Sequence, residues 1–293
     1  MTEPNHLIQL SNALSALAQG ARAHVADVSS KDGEHLTGLL WKPNAVVVSE
    51  QVLPDASEFE VRVGNGTVAA RLAGRDPGTN VAVLRLERDL SAALPAFAVP
   101  SVGALALALG AGVSAQLSLV RSVGPAWQSL AGSTIDHRIV LDRTFRASDD
   151  GSAVVGADGK LFGILTLGAR RQSLVIPAET VERAVAALLE KGSIERGWLG
   201  LALHPVAIPE SLRPEGSQRV GLMVMEVVAG GPAAKAGVLA GDILLSAGGA
   251  PAMRPRQIAR QLGPSSIGKP MALTLARAGA IVTSEATIEA RSA

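Results

Sequence analysis

The chain has 293 residues, 47% of them apolar and 18% charged, with 27 Lys and Arg against 26 Asp and Glu. That composition excludes intrinsic disorder over most of the length. The even charge balance gives neither the basic footprint of a nucleic-acid binder nor a polybasic membrane patch. Cysteine and tyrosine are both absent, which removes disulfides, a thiol nucleophile and Cys-ligated metal sites from consideration.

At about 150 residues per domain, the length predicts two domains or one large one. Residues 1–24 read as an N-terminal helical segment, because Leu7, Leu10, Leu14 and Leu17 fall at helical spacing. The segment lacks the cationic start and continuous apolar run of a signal peptide. The N-terminus as given therefore predicts a cytoplasmic protein, or a periplasmic one if a leader has been removed. Residues 90–120 carry no charge, yet Pro95, Pro100, Gly103, Gly110 and Gly112 interrupt them. Leu105, Leu107 and Leu109 alternate with Ala104, Ala106 and Ala108, which predicts a strand and no transmembrane segment.

Short strands are expected at Thr37–Trp41, Ala45–Ser49, Glu58–Val63, Thr67–Ala73, Val81–Leu86, Ala104–Leu109, Ile139–Leu141, Ala153–Val155 and Leu161–Thr166. Turn signals separate them: Lys42-Pro-Asn, Gly64-Asn-Gly, Asp76-Pro-Gly and Asp158-Gly. So many short strands at near-regular spacing predict an all-β barrel or a pair of barrels. Pro177 opens a helix with Val181, Val185 and Leu188 on one face and Lys191-Gly192 at its end. Residues 204–218 read as a loop. A second unit follows, with a strand from Val220, a short helix near Ala233–Ala236, a strand at Ile243–Leu245, a helix near Pro255–Leu262 and two closing strands.

Two runs carry a family likeness. Ser173-Leu-Val-Ile-Pro-Ala-Glu-Thr-Val-Glu-Arg-Ala-Val, followed by Gly192-Ser-Ile-Glu-Arg-Gly-Trp-Leu-Gly-Leu201, resembles the join between protease and PDZ domain in HtrA-type serine proteases. Gly221-Leu-Met-Val-Met-Glu-Val-Val-Ala-Gly-Gly-Pro-Ala-Ala-Lys-Ala-Gly-Val-Leu-Ala-Gly-Asp-Ile-Leu245 looks like the PDZ core of that family. Thr37-Gly-Leu-Leu, Asp76-Pro-Gly-Thr-Asn-Val-Ala-Val-Leu84 and Gly159-Lys-Leu-Phe-Gly-Ile164 extend the likeness upstream more weakly. The resemblance implies a mainly β protein. Residues 25–192 would form a trypsin-like double six-stranded β-barrel, and residues 193–293 an α+β PDZ domain. It also implies that a homo-oligomer, a trimer in many relatives, could form through the N-terminal segment, although the aromatic contacts expected there are missing.

Trypsin-like catalysis needs a serine nucleophile, a histidine base and an aspartate that orients the histidine. Carried over by motif, the histidine position is Gln51 in Val48-Ser-Glu-Gln-Val-Leu53. The aspartate position is Asn80 in Thr79-Asn-Val-Ala-Val83. The nucleophile position, counted back from Gly159, is Asp150 in Ser148-Asp-Asp-Gly-Ser-Ala153. A glutamine amide is no general base near neutral pH, and a carboxylate at Asp150 would repel a developing oxyanion. The sequence therefore predicts a pseudoprotease with no catalytic residue. Ser152 becomes a nucleophile only if the register shifts by two residues. Asp149 and Asp150 could divide acid and base roles, but they read more simply as loop hydrogen-bonding groups.

The five histidines, His6, His24, His35, His137 and His204, form no metal-binding pair, and no phosphate loop or dinucleotide fingerprint is present. No cofactor and no metal is therefore expected. His35 reads as a solvated turn residue, and His137 as a structural partner of Asp136. By the resemblance, the PDZ unit captures C-terminal or extended peptides with apolar ends as an added strand. Its groove would be formed by Arg196, Gly197, Trp198, Leu199, Gly200 and Leu201, with Ile258 and Leu262 on the opposite helix. Trp198 could instead pack against the barrels. The expected function is a non-catalytic, peptide-binding scaffold or regulator. The alternatives are a serine-type endopeptidase with unorthodox residues, such as Ser152, and a holdase-type chaperone.

Overall fold

The computed structural model describes residues 5–31, 33–91, 94–112, 114–129, 132–168, 171–213 and 218–292. By internal contacts they form two units. One comprises residues 1–127 and 134–193, and the other residues 128–133 and 194–293.

The first unit begins with helix α1 (His6–Ala21), whose N-terminus is capped by Asn5 Oδ1 accepting from Leu7 N–H at 3.1 Å. Leu14 and Leu17 are half-buried, while Leu7 and Leu10 are exposed. Six strands follow: β1 (Val25–Ser30), β2 (His35–Lys42), β3 (Ala45–Ser49), β4 (Glu58–Val63), β5 (Gly66–Asp76) and β6 (Val81–Leu86). They close into a barrel in the order β1-β2-β3-β6-β5-β4. Leu40, Val46, Val48, Phe59, Val61 and Leu84 fill its interior.

The next strands are β7 (Leu105–Gly110), β8 (Ser114–Gly124), the two-residue β9 (Trp127–Gln128) and β10 (Thr134–Ile135), then β11 (Arg138–Leu141), β12 (Ala153–Gly156), β13 (Leu161–Leu167) and β14 (Ser173–Pro177). Six of these close a second barrel in the order β11-β14-β13-β12-β7-β8. The uncharged stretch of residues 90–120 thus supplies β7 and part of β8, and among the described residues no helix is long and apolar enough to cross a membrane. Val154, Phe162, Leu165 and Val175 lie in the second barrel's core.

Helix α2 (Ala178–Lys191) then packs on β5, β6 and β13. Val181, Val185 and Leu188 are buried at 0–1% exposure, which matches the stripe read from sequence. Each such burial contributes about 1.5–3 kcal/mol. That exceeds the roughly 0.5–1 kcal/mol of rotamer entropy a leucine loses, so the apolar stripe holds the helix across both barrels. The helix ends at Gly192 in the left-handed region, φ 74°. It starts one residue later than the sequence predicts, because Pro177 still belongs to β14.

The second unit contains β15 (Glu195–Trp198), β16 (Leu201–Ala207), β17 (Val220–Val227), α3 (Pro232–Lys235), β18 (Ile243–Ala247), β19 (Ala250–Pro251), α4 (Pro255–Ala259), β20 (Pro270–Arg277), β21 (Ala280–Thr287) and β22 (Glu289–Ser292). The main sheet runs β16-β17-β18-β20-β21, with β19 paired to β18, and β15 pairs separately with β22. Leu222, Val224, Leu244, Leu273 and Leu275 form the core. Asp242 ties the β18 turn: its carboxylate accepts Leu239 N–H at 2.8 Å and both Nε (2.7 Å) and Nη2 (2.6 Å) of Arg277. Burial opposes ionisation of Asp242, but these donors win and hold its carboxyl below the usual range.

Two expectations need correction. Residues 204–207 are strand, not loop, and Pro205 sits in β16. That strand lies at the sheet edge, where a missing N–H costs no ladder bond. Helix α4 stops at Ala259, with Leu262 in the turn that follows.

Candidate functional site

The turn Asp76-Pro-Gly-Thr-Asn is built by a fully buried carboxylate. Asp76 accepts from Gly78 N–H (3.1 Å), Thr79 N–H (2.8 Å) and Thr79 Oγ1 (2.7 Å). This turn leaves Asn80 in the left-handed region at φ 57°, a conformation asparagine tolerates better than most residues. Gln51 lies in a 3-10 turn, Glu50–Val52, directly after β3. Asp150 follows another, Ala147–Asp149, before β12. Gly151 turns the chain at φ 85°, where a side chain would meet Thr37 O at 2.6 Å, so only glycine fits.

These three turns bring Gln51, Asn80 and Asp150 together where the barrels meet. Asn80 Oδ1 accepts Gln51 N–H at 2.8 Å, and Asn80 Nδ2 donates to Ser49 Oγ (2.9 Å) and Thr166 Oγ1 (2.6 Å). Gln51 Nε2 donates to Asp150 Oδ2, to Thr166 Oγ1 at 3.2 Å and to Leu167 O at 3.3 Å. Leu167 N–H also donates to Asp150 Oδ2, at 3.2 Å. Thr166 is the member that sequence reasoning missed. Its only signal is a hydroxyl within the apolar run of β13.

Asp150 is 2% exposed. Burial pushes its carboxyl above the ordinary value of 3.8, against the pull of hydrogen bonding from Ser49, Gln51 and the Leu167 and Gly151 backbones. The surrounding backbone N–H groups are already paired, within the turn and with β13. The N–H groups of Asp149, Asp150, Gly151 and Ser152 donate to the carbonyls of Arg146, Ala147, Leu165 and Asp149 at 2.9–3.2 Å. Those four amides are therefore not aimed at a substrate oxyanion.

Other sequence candidates lie elsewhere. Ser152 is 2% exposed and sits beside Gly110, on the side of Thr37. Asp149 accepts Arg146 N–H and Gln116 Nε2, each at 2.8 Å, so its carboxylate holds the loop and does not pair with Asp150. His35 opens β2 and is not a turn residue. Its Nδ1 lies 3.0 Å from Asp27 Oδ1 on the barrel exterior, and Arg62 holds the other oxygen of that carboxylate. Asp136 bonds Thr180 Oγ1 (2.6 Å) and Arg183 Nη2 (3.0 Å); His137 acts on it through charge alone. Among the described residues no hydrogen bond joins a histidine to Gln51, Asn80 or Asp150, and no group of three His, Asp or Glu side chains could hold a metal ion.

In the second unit, Gly200 turns the chain at φ 75° between β15 and β16. Leu199 O and Gly200 O accept from Ala233 and Val228 N–H, each at 2.9 Å. Among the described residues the N–H groups of Leu199 and Gly200 find no acceptor. The outer edge of β16 is unpaired, and α4 lies beside that strand. Leu201 and Leu262 are half-buried, whereas Leu199 and Ile258, each 3% exposed, belong to the core. Arg196 Nη2 donates to Ser133 Oγ at 3.1 Å. Gly197 N–H donates to Leu262 O at 2.9 Å. Trp198 lies over Gly200 and Gly231, with Arg291 stacked 5.6 Å from its ring.

A PDZ domain profile matches residues 223–277. Two six-stranded barrels followed by this domain make the chain an HtrA-type protein in architecture, a trypsin-like double barrel carrying a PDZ unit. Curated relatives agree. A probable periplasmic serine endoprotease DegP-like of Rhizobium meliloti is 28% identical over 250 residues, covering 80% of this chain and 49% of the relative. The same-named protein of Brucella suis is 28% identical over 247 residues, with 79% and 48% covered. This chain therefore spans about half the length of those relatives. The fold also matches that of the HtrA-type protease AlgW with decapeptide (TM-score 0.70, 22% identity, 95% of this chain and 98% of that one). A serine endoprotease from Yersinia pestis matches similarly (TM-score 0.69, 22% identity, 95% and 98% covered).

The state of Asp150 has a consequence for stability. Its carboxyl titrates higher in the folded than in the unfolded chain, so the folded state binds the proton more tightly. Stability is then lost as pH rises from the ordinary carboxyl value through the folded one. Asp150→Asn should raise the melting temperature at pH 7, and the gain should shrink toward pH 3.8. Calorimetry across that range checks this; a lower melting temperature for the variant at pH 7 contradicts it.

Proposed function

We propose that this protein is a non-catalytic member of the HtrA type, which uses its PDZ unit to bind peptide ends of partner proteins. The observation that carries the first half is the hydrogen-bonded cluster of Gln51, Asn80, Asp150 and Thr166. At the three positions where the family keeps His, Asp and Ser stand two amides and an acid. Removing Ser or His alone from such a triad costs about 10⁶ in turnover. Gln51 cannot take a proton from a hydroxyl near neutral pH, and no hydroxyl nucleophile stands at position 150. Ser152 Oγ lies beside Gly110 and Thr37, and among the described residues no hydrogen bond joins it to a histidine.

The second half rests on the open edge of β16 and on the two unclaimed N–H groups at Leu199 and Gly200. An extended peptide added to that edge would place its carboxylate on those amides, with its apolar end against Leu201 and Leu262. A solved HtrA-type neighbour carries a decapeptide by its own description, which supports the same use here. Ile258 contributes by supporting the groove from the core. Arg196 is oriented by Ser133, to whose Oγ its Nη2 donates.

The names of the curated relatives favour a second reading, a serine-type endopeptidase. On that reading Ser152 would have to leave its buried position and find a base.

Two measurements separate these readings. Casein incubated with the purified protein should stay intact over days. Cleavage that disappears in Ser152→Ala or Asp150→Asn would establish the endopeptidase. In fluorescence anisotropy, decapeptides ending in Val, Leu or Phe should bind, and Leu201→Asp should weaken that binding by about tenfold or more. Equal affinity for the same peptides with amidated ends would contradict capture through the carboxylate.

A further inference from the structure

A cleft on the second barrel has a composition that the function above does not use. It is about 410 Å³ in volume, and Arg121, Arg138, Arg143 and Arg171 line it together with Asp142, Gln172 and Ser173. Arg121 comes from β8, Arg138 from β11, Arg143 from the loop after β11, and Arg171 from the turn before β14. Four guanidinium groups thus share a small volume with one carboxylate, a formal balance of 4 − 1 = +3. The whole chain carries only +1.

Nothing inside the described structure neutralises this charge. None of the four arginines makes an ion pair among the described residues. Arg138 is oriented by a neutral partner, donating to Gln172 Oε1. Asp142 is turned toward β8: one oxygen accepts both Ser118 Oγ (2.6 Å) and Leu119 N–H (2.8 Å). Like charges held this close repel one another unless a counter-anion joins them.

Arg171 supplies a second observation. Its backbone is left-handed at φ 57°, where a glycine would sit with less strain. Backbone geometry therefore does not account for an arginine at this position, whereas its place in the cleft does.

We propose that this cleft binds a ligand with clustered phosphate groups, either a free oligophosphate or the headgroup of a phospholipid bearing two phosphates. Guanidinium forks match phosphate oxygens in bidentate geometry, and several forks suit a ligand with several such groups. An acidic peptide fits less well. The strands here belong to a closed barrel, so no free edge exists to hold a peptide backbone. Leu141 is the only large apolar residue in the lining.

The test uses the full chain and inorganic tripolyphosphate, by isothermal titration calorimetry. Binding should occur and weaken as salt is raised. Arg121→Gln/Arg143→Gln should lose about tenfold or more in affinity, as expected for charge-assisted contacts. Lys31→Gln/Arg88→Gln, which removes two cations from the first barrel, should stay within about twofold, since it touches only diffuse charge. Arg171→Gly, which suits the backbone, should fold at least as stably and still bind more weakly. Cosedimentation with phosphatidylcholine vesicles, with and without cardiolipin, distinguishes the sources. Cardiolipin-dependent binding displaced by tripolyphosphate identifies the headgroup, and tripolyphosphate binding without vesicle binding identifies the free anion. The proposal is overturned if tripolyphosphate does not bind at millimolar concentration or if both double variants lose affinity equally. Tighter binding of a polyglutamate peptide through the same arginines also overturns it.

Discussion

A buried carboxylate must find donors, and Asp150 draws them from both barrels. Gln51 reaches it from the turn after β3, while Leu167 N–H approaches from β13 of the barrel to which Asp150 itself belongs. Thr166 accepts from Gln51 and Asn80 at once, so one hydroxyl joins these two residues, and Gln51 in turn reaches Asp150. This network spans the seam between the two barrels. The Gln51 amide is occupied at Asp150 Oδ2, which also accepts Leu167 N–H, while Oδ1 is buried without a hydrogen-bond partner among the described residues. The neighbouring N–H groups are spent on the turn and on Leu165 O. Gln51, Asn80 and Thr166 direct their amide and hydroxyl groups at one another and at Ser49 and Leu167.

The two units differ in what they leave open. In the barrels every strand of the ring has two neighbours, and the backbone offers no free edge. In the C-terminal unit the sheet stops at β16, and the loop before it holds two N–H groups without acceptors among the described residues. Backbone recognition of an extended peptide is available at that edge and nowhere on the barrels. The proposed role rests on this contrast between a hydrogen-bonded polar cluster in one unit and an open sheet edge in the other.

Much of the fold was legible because the signals were local. Alternating leucines and alanines marked β7, turn residues marked the hairpins, and the Val181, Val185 and Leu188 stripe marked α2. Gln51, Asn80 and Asp150 could be named from motif spacing, since each stands at a fixed distance from a recognisable strand or turn. Thr166 could not, because only the tertiary structure shows that a threonine inside β13 faces the seam. Pro205 hid β16, as proline argues against a strand until the strand is known to lie at an edge. Ile258, read from the sequence as groove lining, is 3% exposed and packs in the core of the C-terminal unit, which only the tertiary structure shows. The four cleft arginines are up to fifty residues apart and come together only because β8 and β11 are antiparallel neighbours in a closed ring.

The central claim is that the double barrel holds no activated serine. The most direct measurement is labelling of the native protein with a fluorophosphonate probe, read by intact-mass and peptide mass spectrometry. The account predicts no adduct on any serine under conditions that fully label a trypsin control. A stoichiometric adduct on Ser152 in the folded protein, lost on heat denaturation, would contradict it.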